Sequence, residues 1–219
     1  MPDPVDSHDP ARGLLIVISG PSGVGKTTIA HAVRERFNGV FSISATTRPR
    51  SDQERDGVDY LFLDESRFRA MIEAGEFLEH ARVFDRDSYG TPRRPVEEQL
   101  AAGRAVILDI DVQGAVQVRR ARPDALLIFI LPPSDAELLR RLRQRGRDSE
   151  EAMQRRFAEA QEEITYARSC AAYDAFVVND DLAQATARTF TLVEHCARRR
   201  GVALPPSRHA GDPRRDSSR

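Results

Sequence analysis

A glycine-rich octapeptide constrains this chain more than any other feature of its sequence. Residues 20–27 read Gly-Pro-Ser-Gly-Val-Gly-Lys-Thr, which is Gly, four residues and Gly-Lys-Thr. The apolar run at 14–18 precedes it and is typical of a strand buried on both faces of a parallel sheet. Ile29, Val33 and Phe37 follow at helical spacing. This order predicts a phosphate-binding loop, in which backbone N–H groups and the helix N-terminus face the phosphates.

The loop also predicts the first ligand, a nucleoside triphosphate. Lys26 is expected to reach the β and γ phosphates, and the Thr27 hydroxyl is expected to bind Mg²⁺, the one cofactor predicted. The second substrate has to be identified from the rest of the chain. The loop residues assigned to ATP are Gly20, Pro21, Ser22, Gly23, Val24, Gly25, Lys26, Thr27 and Thr28.

Composition and length narrow the class of protein. A chain of 219 residues fits one domain, or one domain with inserted subdomains, and its formal net charge of -1 gives no sign of a general nucleic-acid or membrane binder. Cys170 and Cys196 are far apart and lack metal-ligand spacing. Since no signal peptide or long apolar span occurs, we expect a cytoplasmic protein without specific nucleic-acid or membrane partners.

Further apolar runs predict the remaining sheet. Residues 105–111 and 125–131 are predicted to be buried strands and 176–179 a last short strand, and 40–44 and 58–63 are predicted to form two more. Because buried strands alternate with helical patterns, the sequence predicts an α/β fold whose parallel sheet is covered by helices on both faces.

Two capping patterns predict helix starts in the second half of the chain. Ser134 with Glu137 marks one, and Asp148 with Glu151 marks another that is expected to run to about Ala172.

Three regions depart from the alternating pattern. Residues 1–12 and the basic segment 198–219 are rich in Pro and charged or polar residues, which predicts disordered tails. Residues 44–91 contain small elements with many polar side chains, which favours an inserted substrate-clamping unit.

Several separate motifs together resemble guanylate kinase. They are the loop at 20–27 and the segments 44–50, 77–79, 108–114 and 178–181, and the resemblance extends over about 14–196. It implies phosphoryl transfer from ATP to GMP, and to dGMP as a further acceptor, giving ADP and the nucleoside diphosphate. The implied fold is a three-layer parallel-sheet P-loop NTPase fold with a small GMP-binding insert and a helical lid. Its implied bounds are 13–43 and 92–197 for the core, about 44–91 for the insert and about 143–160 for the lid.

The expected chemistry agrees with this resemblance. The acceptor is a phosphate oxygen that is already anionic, so the reaction needs positioning and charge neutralisation rather than a general base. Lys26 is the predicted catalytic residue of the loop. By the resemblance, Arg145 and Arg156 are the lid arginines that close over the transferring group.

The predicted acceptor site lies in the insert. Arg48 can grip two phosphate oxygens, and Tyr60 and Tyr89 would add hydroxyl donors. Glu79 can accept from guanine N1–H and the exocyclic amine together, whereas adenine offers no such donor pair. The resemblance further assigns Ser44, Thr91 and Asp111 to the base and ribose and Asn179 to the surroundings of the adenine ring.

Asp109 and Asp111 are expected to end a buried strand with their side chains on one face. A pair of carboxylates there would serve Mg²⁺ through water or would bind the substrate, and Asp109 is assigned to the metal. A role in capping the strand end is the structural alternative.

The sequence departs from the family pattern on the acceptor side only. Ser51 stands where a second phosphate-binding arginine is usual, so either Arg50 replaces it or GMP binding is weaker. One extra residue separates Glu79 from Tyr89, Ser88 stands where a second tyrosine is common, and 52–57 lacks the usual Pro-Gly.

Two alternatives remain at this point. A related phosphate-loop kinase would use another phosphorylated acceptor, such as a phosphorylated sugar, but Glu79 with Ser44 and Tyr89 argues against it. A non-catalytic guanylate-kinase-like protein-binding module usually loses the loop lysine or the lid arginines, which this chain keeps as Lys26, Arg145 and Arg156.

Overall fold

A computed structural model of the protein describes residues 13–83, 86–144 and 149–204. The described residues form nine strands and seven helices. The strands are β1 Leu14–Ser19, β2 Val40–Phe41, β3 Ala45–Thr46, β4 Leu61–Phe62, β5 Phe77–Val83, β6 Asp87–Pro92, β7 Ala105–Asp109, β8 Leu126–Leu131 and β9 Ala175–Val178. The helices are α1 Lys26–Arg36, α2 Glu65–Glu73, α3 Arg93–Ala101, α4 Val112–Ala121, α5 Asp135–Gln144, α6 Glu150–Ser169 and α7 Leu182–Arg199.

The main sheet has five parallel strands in the order β2-β7-β1-β8-β9. All six residues of β1 and of β8 are buried, as expected for central strands covered on both faces. Since the strands are parallel, their carboxyl ends meet at one edge, where ligands of open α/β sheets bind. The predicted α/β fold with a parallel central sheet is confirmed.

Alternate side chains of β1 enter two different hydrophobic clusters. Leu14, Ile16 and Ile18 pack in a cluster with residues of α1, α5, α6 and α7. Leu15 and Val17 pack on the opposite face with residues of α3 and α4. The sheet is therefore the middle of three layers, and burial on both faces explains the continuous apolar run in the sequence.

A second sheet of four strands, in the order β4-β3-β6-β5, lies within residues 45–92. It is mainly antiparallel, since β3 pairs with β6 and β6 with β5 in that sense. A smaller apolar cluster lies between this sheet and α2, and it includes Phe68 and Phe77, whose ring centroids are 4.6 Å apart.

The strand predicted at 40–44 is wrong as a single element. Val40 and Phe41 pair with β7 in the main sheet, whereas Ala45 and Thr46 pair with β4 and β6 in the second sheet. The strand predicted at 58–63 is shorter, because only Leu61 and Phe62 form ladder pairs. Local alternation does not reveal which distant strand a segment will join, and here the partner changes within five residues.

The strand predicted at 105–111 ends at Asp109, and helix α4 begins at Val112 without having been predicted. Asp111 is the N-cap of α4, and its side chain accepts a hydrogen bond from the Gly114 N–H. The expectation that Asp109 and Asp111 share a strand face is therefore wrong, because the second carboxylate is turned into a helix cap.

Two helix ends also differ from prediction. The cap of α6 is Ser149, whose hydroxyl accepts from the Ala152 N–H at 3.3 Å, while Asp148 lies outside the described residues. Helix α7 extends to Arg199, and Val202 is buried, so ordered chain continues past the predicted boundary at 197.

Candidate active site

The glycine loop joins β1 to α1 as predicted, and its conformation depends on glycine. Gly20, Gly23 and Gly25 have φ values of 146°, 88° and 86°, which residues with a Cβ atom rarely adopt. Gly25 is the N-cap of α1 and provides no side-chain cap. The first N–H groups of the helix therefore remain available to an anion.

Asn179 holds the loop from the end of β9. Its side chain is buried, and its amide nitrogen donates to the Val24 carbonyl at 2.7 Å. A Cβ atom at Gly25 would lie 2.6 Å from the same nitrogen. The residue predicted to lie near adenine therefore contacts the loop backbone itself.

Lys26 and Thr27 both contact Asp109 across two neighbouring strands. The Lys26 Nζ lies 3.1 Å from Asp109 Oδ1, and the Thr27 hydroxyl donates to Oδ2 at 2.9 Å. Asp109 ends β7, which pairs directly with β1. The structure thus brings together the loop lysine and both residues predicted to serve the metal.

A cavity of about 320 Å³ opens over the loop and is also lined by Asp111 and Glu163. Glu163 lies on α6 and was not predicted as a site residue. Burial raises its pKa to about 7, and the charge of Lys26 acts in the opposite direction. Sequence offered one indirect signal, since Glu163 follows Arg156 by seven residues and so shares its face of α6.

Arg48, Tyr60 and Tyr89 lie together in the second sheet and its adjoining loop. The Arg48 guanidinium carbon lies 5.6 Å from the Tyr60 ring centroid, and the two tyrosine rings are 6.0 Å apart. A hydrogen bond with Tyr89 also contributes to a raised Arg48 pKa, second to that with Glu54. The structure therefore brings together the cation and both tyrosine side chains of the predicted phosphate site.

Glu54, which was not predicted as a site residue, already binds that cation. Its Oε1 accepts from Arg48 Nη2 at 2.6 Å, while Oε2 accepts from both the N–H and the hydroxyl of Ser51 at 2.9 Å. These bonds, the Arg48 contact first, lower the Glu54 pKa to about 2. Ser51, at the position of the missing arginine, thus binds the carboxylate that engages Arg48.

Arg50, the proposed replacement for that arginine, is exposed. Its guanidinium donates to the Glu54 carbonyl at 3.0 Å, so its contact here is with the backbone of the same loop.

Glu79 is a buried carboxylate on β5, with 6% of its surface exposed. The Thr91 hydroxyl on β6 donates to its Oε1 at 2.5 Å, and Thr91 is itself fully buried. Burial raises the Glu79 pKa to about 7 despite this hydrogen bond, which acts to lower it. Two predicted acceptor residues are therefore in direct contact.

The remaining predicted residues lie around these groups. Ser44 precedes β3, and its carbonyl accepts from the Leu61 N–H at 2.9 Å. Arg156 is exposed on α6, and Arg145 lies outside the described residues.

The described ranges contain neither a candidate metal cluster nor a candidate membrane span. No group of three or more His, Cys, Asp or Glu side chains suited to a metal ion occurs there. Within the same ranges, none of the helices is both long and apolar enough to cross a bilayer.

The glycine loop between β1 and α1, at the carboxyl edge of a parallel sheet, defines an α/β protein of the phosphate-loop class. A family model described as guanylate kinase matches residues 12–196. The guanylate kinase of Myxococcus xanthus is 49% identical over 191 residues, covering 86% of this chain and 90% of that protein. The guanylate kinase of Thermosynechococcus vestitus is 52% identical over 177 residues, covering 80% of this chain and 91% of that protein.

A solved structure agrees with the sequence comparisons. The crystal structure of guanylate kinase from Anaplasma phagocytophilum matches with a TM-score of 0.63 at 32% identity, covering 84% of this chain and 86% of that one. The chain belongs to the guanylate kinase family. The resemblance noted from its motifs is therefore confirmed.

Proposed function

We propose that this protein transfers the γ-phosphoryl group of ATP to GMP, giving ADP and GDP, with dGMP as a further acceptor. The observation that carries the proposal is the buried carboxylate of Glu79 in the second sheet of a phosphate-loop protein. A buried carboxylate has lost its hydrogen bonds to water, so it needs other hydrogen-bond donors. Guanine supplies two neighbouring N–H groups. The relatives named above are guanylate kinases, which favours neither alternative acceptors nor a binding module.

On the donor side, charge neutralisation falls to the loop and the lid. Lys26 leaves Asp109 to reach the β and γ phosphates, and the free N–H groups of α1 bind phosphate oxygens. Arg145 and Arg156, from the proposed lid at about 143–160, close over the transferring group and balance its developing charge. The loop residues from Gly20 to Thr28 form the ATP site with Asn179.

Mg²⁺ is the proposed cofactor, and the oxygen atoms of Thr27 and Asp109 are suited to hold it. Both are hard oxygen donors next to the phosphate loop, and magnesium typically takes only one or two protein ligands besides phosphates and water. When bound with ATP, the ion neutralises phosphate charge.

On the acceptor side, the insert at about 44–91 binds GMP. Arg48 binds the phosphate with Tyr60 and Tyr89, using guanidinium N–H groups that Glu54 does not occupy. Arg50 adds positive charge from the same loop. Glu79 reads the guanine edge, while Ser44, Thr91 and Asp111 surround the nucleoside.

We further propose that the protein acts in the cytoplasm on small-molecule nucleotides. The core then carries ATP, and it extends past the predicted boundary at 197, since α7 ends at Arg199 and Val202 packs in the main hydrophobic cluster.

A coupled assay of ADP release tests this function directly. With ATP and Mg²⁺, we expect rapid turnover of GMP and dGMP and little turnover of AMP, UMP, CMP or a phosphorylated sugar. The Glu79→Gln variant should lose GMP turnover much more than ATP binding, because its amide N–H₂ faces the donors of guanine. Turnover of another acceptor with GMP inert would overturn the proposal.

A further inference from the structure

Gly114 occupies an unusual place for a glycine. It lies in the first turn of α4, where its N–H donates to the capping carboxylate of Asp111 at 2.8 Å. Its φ is not among the positive values of the chain, so the backbone does not require glycine there. Since glycine disfavours helix relative to alanine, another constraint has to account for it.

The space beside Gly114 is filled by the Glu79 carboxyl group. A Cβ atom at this position would lie 2.9 Å from Glu79 Oε2, 3.3 Å from its carboxyl carbon and 3.4 Å from the Ile110 side chain. The first distance is too short for a carbon and an oxygen that are not bonded, so one of the two groups would have to move.

The helix is held firmly against the strand that carries Glu79. The side chain of Gln117 accepts from the His80 N–H at 3.1 Å and donates to the His80 carbonyl at 2.9 Å. Because this pair joins α4 to β5 one turn beyond Gly114, a shift of the helix away from the strand would break both hydrogen bonds. The carboxylate would therefore move, against its 2.5 Å bond from Thr91.

We propose that Gly114 is a specificity-determining positioning residue, whose lack of a side chain keeps the space in which Glu79 is held to read guanine. The inference rests on the proposed function, because it needs Glu79 to bind GMP. It goes further in assigning the position of the Glu79 carboxyl group to α4, the helix that packs against β5.

The Gly114→Ala variant separates this role from a structural one. Alanine favours the helix, which offsets the cost of moving the Glu79 carboxyl group, so we expect a melting temperature close to that of the wild type. The Kd and KM for GMP should rise about tenfold or more, as when a hydrogen bond to a charged group is lost. The kcat and the affinity for ATP should stay near those of the wild type, because the phosphate loop is untouched. Gln113→Ala, at an exposed position of the same helix, is the matched control and should behave as wild type.

A rescue experiment gives the inference a second test. Glu79→Asp withdraws the carboxylate by one methylene, which weakens GMP binding in the wild type but relieves the clash with the methyl group that Gly114→Ala introduces. The penalty of Glu79→Asp should therefore be smaller in the Gly114→Ala background.

Two results would overturn the inference. These are a GMP affinity within about twofold of wild type for Gly114→Ala, or equal penalties of Glu79→Asp in both backgrounds. Wild-type protein that does not bind GMP would instead overturn the proposed function itself.

Discussion

The buried carboxylate of Glu79 makes a prediction about stability that needs no substrate. In the free protein its pKa is raised from 4.5 to about 7, because burial penalises the charged form. Glu79→Gln replaces the carboxyl group by a neutral amide of the same shape, whose oxygen can still accept from the Thr91 hydroxyl. The variant should therefore remove the cost of ionising a buried group while keeping its local packing.

The sign and size follow from proton linkage. Between pH 4.5 and 7 the unfolded chain loses the proton while the folded protein retains it, so folding stability falls as pH rises. The full cost corresponds to about 3 kcal/mol, of which about 2.5 kcal/mol develops between pH 5 and pH 8. The free energy of unfolding of Glu79→Gln minus that of wild type should therefore be larger at pH 8 than at pH 5 by that amount.

Urea denaturation of both proteins at pH 5 and pH 8, without nucleotide, measures this difference. Glu73→Gln, at an exposed glutamate of α2, is the control for loss of a carboxylate without burial. If the stability difference between wild type and Glu79→Gln were the same at both pH values, the result would contradict a raised pKa of Glu79 in the folded protein.

Two further predictions concern the donor side. Lys26→Ala should fold normally and lose at least about 10²-fold in kcat in the ADP-release assay, because a positive charge on the phosphates is removed; near-wild-type turnover would refute its role. Glu163→Gln should bind ATP several-fold more tightly than wild type at pH 8 and equally at pH 6, by calorimetric titration. The reason is that a carboxylate with a pKa of about 7 in this cavity, near Lys26, Asp111 and Glu159, repels phosphate only when charged. Equal affinities at pH 8 would contradict this.

The phosphate loop and the central sheet could be predicted because their signals are local. Strands buried on both faces read as continuous apolar runs, and the loop glycines sit where φ is positive. Even the contact between Thr27 and Asp109, 82 residues apart, follows from topology, since β1 and β7 are neighbours with aligned carboxyl ends.

The second sheet was harder to predict because two of its strands are very short and pair with residues that are distant in the sequence. Strands β3 and β4 have two residues each, and Ala45 pairs with both Leu61 and Gly90.

Glu54 and Glu163 were missed for a related reason. Each lies in a charge-rich segment that is typical of solvated surface. Only the tertiary fold brings Glu54 to Arg48 and places Glu163 in the cavity over the phosphate loop.

Helix α4 shows how one unpredicted element can organise both halves of the site. Asp111, Gly114 and Gln117 recur every three residues, so they lie along one side of the helix. The first lines the cavity over the phosphate loop, the second adjoins the Glu79 carboxylate, and the third binds the backbone of β5. Phosphoryl transfer depends mainly on holding donor and acceptor at a fixed separation. Helix α4 contacts the loop cavity at its start and the second sheet one turn later, so we propose that it acts as such a spacer between the proposed ATP and GMP sites.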